Sequence, residues 1–87
     1  MVKEKLTKIL VIDGQGGKLG RQLITSIRES FLKVHITAIG TNSIATSNMM
    51  KAKVDVAVTG ENAIVHNAKL ADIIVGPGNQ FVAEAKR

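Results

Sequence analysis

The sequence predicts an α/β fold: a small three-layer domain in which a four-stranded, all-parallel sheet carries helices on both faces. Three observations predict it. Four short runs rich in β-branched residues recur along the chain, Ile9 to Ile12, Val34 to Ile39, Val54 to Val58 and Ile73 to Val75. Each is followed by glycine, at Gly14, Gly40, Gly60 and Gly76. The stretches between them repeat their apolar residues at intervals of three and four. Near-continuous hydrophobicity is what a strand covered on both faces requires. Strand, helix, strand in succession implies right-handed crossovers and a parallel sheet. The expected strand order is 3-2-1-4, with 2-1-3-4 as the alternative.

The first helix is read from Leu19, Leu23, Ile24, Ile27 and Phe31, which form one apolar stripe, while Arg21, Gln22, Arg28 and Glu29 fall off it. The second spans Ile44 to Ala52 and is expected to bury Ile44, Ala45, Met49 and Ala52, with Asn42 or Ser43 as N-cap. The third, Asn62 to Lys69, presents Ile64, Val65 and Ala68, and its capping is expected from Thr59 or Asn62, with Glu61 on the first-turn dipole. After Gly76-Pro77-Gly78, residues Asn79 to Arg87 are expected to form a last helix carrying Phe81, Val82 and Ala85.

Eighty-seven residues suit one unit, residues 1–87, with no room for a separate substrate domain. No apolar run approaches the roughly 18 residues of a membrane span, and the amino-terminal apolar stretch is broken at once by Asp13 and glycine, unlike a secretory signal. A soluble, cytoplasmic protein with no membrane partner is expected. The chain has no cysteine, which excludes disulfides and thiolate metal sites, and His35 and His66 are isolated, so no metal site is assigned. A net charge of +5 favours anionic partners, but the cations are scattered. Nucleic acid is disfavoured, because the two aromatic residues, Phe31 and Phe81, are assigned to core faces and leave no stacking platform. A sheet this small leaves open edges, and a homo-oligomer is expected.

The most informative segment joins the first strand to the first helix: Gly14-Gln15-Gly16-Gly17-Lys18-Leu19-Gly20. Gly14 permits a tight turn, Gly16 or Gly17 lets backbone amides approach a pyrophosphate, and Gly20 lets the helix pack close to the sheet. The helix start supplies unpaired N–H groups and about half a positive charge, to which Lys18 adds a full one. A nucleotide-hydrolysing phosphate loop is disfavoured, because Leu19 stands where Ser or Thr would ligate magnesium. The reading is a Rossmann-like module binding a small-molecule nucleotide of the NAD(P) type. Thr41, Asn42, Ser43, Thr59, Gly60 and Gly76 complete the crevice at the carboxyl ends of the strands. Asp13, beside the anion seat, is expected to brace the loop by accepting a backbone bond from two residues on.

The stretch GQGGKLGRQLI, residues 14–24, resembles the cofactor loop of dihydrodipicolinate reductase. That resemblance implies NADH or NADPH as cofactor, with Lys18 in the place of that family's basic loop residue. Over a longer span, KILVIDGQGGKLG, GTNSIATSNMM, TGENAIVHNA and ADIIVGP are similar to a small, functionally uncharacterised bacterial family with a Rossmann-like fold, a likeness that brings no activity. Two departures stand out. Gly40-Thr41-Asn42-Ser43 replaces the acid that commonly holds the ribose diol, which favours NADP slightly over NAD. Members of that family continue with apolar structure after Gly76-Pro77, whereas GNQFVAEAKR does not, and a truncated or altered carboxyl terminus is expected.

No Ser-His-Asp or Cys-His constellation can be assembled and no carboxylate pair shares a motif, so no catalytic residue is assigned and an independent enzyme is not expected. Two other roles compete with the nucleotide module: a ligand-free oligomerising scaffold, in which the glycines only turn the chain, and a non-catalytic subunit of an oxidoreductase.

Overall fold

The computed structural model describes residues 6–14, 16–31 and 33–76. The order is β1 (Thr7–Asp13), α1 (Lys18–Ser30), β2 (Val34–Gly40), α2 (Ser43–Met50), β3 (Val56–Thr59), α3 (Asn62–Ala68) and β4 (Ile73–Val75). All strand pairs are parallel, and the sheet order is β3-β2-β1-β4. This is the expected α/β architecture with the first of the two strand orders. Gln15 and the helix expected over Asn79 to Arg87 lie outside the described residues.

The order makes β1 and β2 central, and Leu10, Val11, Ile36, Ala38 and Ile39 are almost fully buried. Ile9, Val11, Val34, Ile36 and Ala38 meet Ile24 of α1 and Met49 of α2 in one core on one face of the sheet. Leu10 and Thr37 face the other way, toward the end of α3. The two outer strands depart from the expectation of burial on both faces: Val56 and Ile73 are exposed, since an edge strand has a neighbour on one side only.

β3 begins later than its apolar run. Val54 N–H closes a turn on Ala52 O, and Asp55 then takes the bonds that lead into the ladder, its N–H donating to Ile36 O and its Oδ2 accepting from Ile36 N–H. Arg28 fixes the same corner, donating to Lys53 O, Val34 O and Asp55 Oδ2. Partial burial pushes the Asp55 carboxyl up, but the Ile36 bond, the Arg28 guanidinium and the His35 charge together hold it below its ordinary value. A carboxyl lowered by folding contributes stability above its unfolded pKa and loses that contribution as pH falls through the folded one. The urea midpoint is therefore expected to decline as pH drops below 3.8, and Asp55→Asn to flatten that decline. The effect is small, because the pair is partly exposed and screened. Identical pH profiles for the two proteins would remove Asp55 from the account.

Three apolar expectations fail for one reason. Leu19, Phe31 and Ile44 are 53%, 56% and 66% exposed. A helical stripe identifies residues that share a face, but only its centre meets another element. In α1 that centre is Gly20 and Ile24, and in α2 it is Ala45, Thr46 and Met49. Ala52 lies just beyond α2 and is only partly buried.

Candidate functional site

β1 delivers Asp13 and Gly14 to the carboxyl edge of the sheet, and the turn through Gly16 and Gly17 opens α1 there. Gly17, the N-cap, has φ 80° and ψ 0°, a left-handed conformation that favours glycine. It offers no capping side chain. The cap comes instead from the end of β1, where the Asp13 carboxylate accepts the Gly20 N–H at 2.8 Å in a buried bond. Asp13 thus braces the loop as expected, but through the residue seven positions on. Among the described residues, the N–H groups of Lys18 and Leu19 have no partner. Lys18 and Leu19 are exposed, as is Arg21 one turn later.

The rest of the turn is held by α2 and the residues before it. Asn42 Nδ2 and Thr41 Oγ1 both donate to Gly14 O, at 2.7 and 3.3 Å. Asn42 Oδ1 also caps α2 by accepting from Ala45 N–H at 2.8 Å, which selects Asn42 from the two expected caps. Asn48 Nδ2 donates to Gly16 O at 2.5 Å. Gly17 rests on the α2 backbone so closely that a Cβ would overlap Ala45 O. Gly20 is enclosed by Met49 and Asp13, with Sδ only 2.6 Å from where a Cβ would stand, in keeping with its expected role in close packing. Gly16 alone of the described loop glycines opens to free space, with nothing within 4 Å of where a methyl would stand.

The remaining site residues flank the turn at the other strand ends. Ser43 opens α2 and is exposed. Thr59 ends β3, but its hydroxyl donates to Thr46 Oγ1 at 2.8 Å, and Thr46 in turn donates to Asn42 O and Val58 O. Thr59 is therefore turned toward α2 and does not cap α3. That helix has Glu61 at its N-cap position with no side-chain bond, entered through Gly60 at φ 118°. Gly76 follows β4. Strand order reverses between β1 and β4, so the Gly14 turn and Gly76 stand on the two sides of the switch point, while Thr41 to Ser43 and Thr59 to Gly60 lie beyond β1 on the far side.

Sequence reasoning missed Thr46 and Asn48. Their signal was present: both are polar residues on the face of α2 that carries Ala45 and Met49, and a polar group on a buried face needs a partner. His66, on α3, is exposed. Among the described residues no helix is long and apolar enough to cross a membrane.

Fold and site together define a class: a small parallel α/β domain with a glycine turn between its first strand and first helix, set at a reversal of strand order. The chain belongs to the family of the domain of unknown function DUF3842, matched over residues 8–86. No curated protein and no solved structure matches it. The likeness to dihydrodipicolinate reductase rests on the loop residues alone.

Proposed function

We propose that the domain binds a phosphate-bearing nucleotide of the NAD(P) type, with its phosphates on the turn from Gly14 to Gly20. One observation carries the reading: the glycine turn that opens α1 lies at the β1/β4 switch point, where ligands of open α/β sheets bind. The N–H groups of Lys18 and Leu19, the Lys18 ammonium and Arg21 are the groups suited to phosphate. Gly16 is the position at which a ligand can come close to the backbone.

The other residues take graded roles. Thr41 and Asn42 act as positioning residues, because their side chains hold Gly14 O. Ser43 and Gly60 border the adenosine side, Thr59 supports that border through Thr46, and Gly76 borders the opposite side, with Gln15 completing the turn. The donor set fits phosphates better than a ribose diol, since no acid stands between Gly40 and Ser43. NADP is the preferred cofactor and NAD the alternative.

The competing scaffold reading draws on Gly17 and Gly20, whose lack of a side chain is accounted for by packing against α2 and Asp13. Gly16→Asp separates the two. It sets a carboxylate in open space at the seat, where φ is not positive, so stability is expected to stay within about 0.5 kcal/mol of the parent. Calorimetric titration with NADPH, NADH, ATP and ADP should show binding by the parent and a loss of about tenfold or more in the variant, as one uncompensated like charge dictates. The chain has neither Trp nor Tyr, so near-ultraviolet absorbance of the purified protein also reports a co-purified nucleotide directly. If none of the four ligands binds, or if Gly16→Asp leaves their affinity unchanged, the nucleotide reading fails.

A further inference from the structure

The second face of the sheet holds a feature that the glycine turn does not use. A cavity of ≈ 170 Å³ lies between the end of α3 and the amino-terminal half of the strands. Its floor follows from the register. Lys8 is paired with His35, and in the next row on the same face Leu10, Thr37 and Val56 stand side by side on β1, β2 and β3. Asn67, Leu70 and Ala71 form the opposite wall.

The central polar group is Thr37. It is 8% exposed and lies on a central strand, yet its hydroxyl has no hydrogen bond among the described residues. No fully sealed side-chain polar atom of the described residues lacks a partner, so this hydroxyl retains an opening, and Thr37 lines this cavity. A threonine placed in a core without a partner is costly compared with valine.

Its neighbours complete a recognisable set. The Lys8 ammonium has no ion pair among the described residues. Two carboxylates stand nearby: Asp72 accepts from the Lys8 backbone N–H, and Asp55 accepts from Arg28 and the Ile36 N–H. His35 adds an imidazole beside Lys8. Asn67 donates its amide N–H to Ala63 O, which leaves its carbonyl oxygen as an acceptor. Leu10, Val56, Leu70 and Ala71 are apolar.

We propose that this cavity is a binding site for a small carboxylic acid with one further hydroxyl group, such as a short 2-hydroxy acid. The carboxylate lies against Lys8 and His35, the carbon chain against Leu10, Val56 and Leu70, and the hydroxyl group against Thr37 Oγ1 and Asn67 Oδ1. The volume suits about five to seven heavy atoms, by comparison with the ~150 Å³ cavity that takes up benzene. The site lies at the amino ends of the strands, away from the glycine turn, so it stands independently of the nucleotide reading.

Titration of the ¹⁵N-labelled full chain with butyrate, 2-hydroxybutyrate and neutral butyramide tests this by amide shift mapping. The two acids should produce saturable shifts at Lys8, His35, Thr37 and Asn67 to Ala71, with Gly16 to Gly20 silent. Lys8→Gln should weaken the acids about tenfold and leave butyramide unchanged, the loss of one charge-assisted bond. Thr37→Val should raise the thermal midpoint and weaken 2-hydroxybutyrate relative to butyrate. Should that variant fail to fold, Val56→Phe, which fills the cavity from its exposed rim, must abolish the shifts. Absence of saturable shifts overturns the proposal. So does a Thr37→Val protein that gains stability with unchanged preference for the hydroxy acid, which would mark the cavity as a water site.

Discussion

Replacing Gly17 with alanine is expected to lower the unfolding free energy by about 2–5 kcal/mol, a large share of the about 5–15 kcal/mol typical of a domain. Two penalties combine. At φ 80° a Cβ meets the following carbonyl, which costs about 1–2 kcal/mol per residue. The same Cβ overlaps Ala45 O and stands 2.9 Å from both Ala45 Cα and Asn48 Cβ, so α2 has to shift, at about 1–3 kcal/mol for overpacking. The gain from a stiffer unfolded chain, about 0.4–1 kcal/mol, offsets little of this. Gly16→Ala is the matched control, with the same entropy gain and free space around the new methyl. Urea unfolding of the two variants reads the difference; equal midpoints would mean that the turn does not press on α2.

That contrast shows what the sequence could and could not convey. Four glycines in seven residues at a strand-to-helix junction say that something approaches the backbone closely. They do not say what. At Gly17 the approaching body is Ala45 of α2, and at Gly20 it is Met49 with Asp13, so a spacing that reads as a phosphate loop is also the spacing of a helix–helix contact. Strand order was legible only as a choice between 3-2-1-4 and 2-1-3-4, because the apolar runs do not separate central from edge strands: Ile9 to Ile12 has four residues and Val54 to Val58 five, although β1 is central and β3 lies at an edge. Leu19, Phe31 and Ile44 were misassigned because hydrophobic periodicity names a face without naming what lies opposite. Contacts that span long stretches of sequence, such as Asn48 on Gly16 O or Arg28 on Asp55, leave no periodic trace and emerge only once β1, α1 and α2 are assembled.

Asp13 sits where the two demands on the turn meet, and its removal is expected to move stability and anion affinity in opposite directions. In Asp13→Ala the Gly20 N–H loses its buried acceptor, and a hydrogen bond to a charged group contributes about 1.5–3 kcal/mol. The unfolding free energy should fall by that order. The same change uncovers a third first-turn amide and removes a negative charge from the positive end of α1, so phosphate-bearing ligands should bind more tightly. Asp13→Asn divides the two effects: its side-chain oxygen can still accept from Gly20, so stability should fall less, while the repulsion is gone and the affinity gain should persist. Urea unfolding combined with titration of NADPH into all three proteins measures both axes. A folded Asp13→Asn protein that binds NADPH more weakly than the parent would reverse the assignment, because it would make the Asp13 carboxylate a direct ligand contact and the turn something other than a simple anion seat.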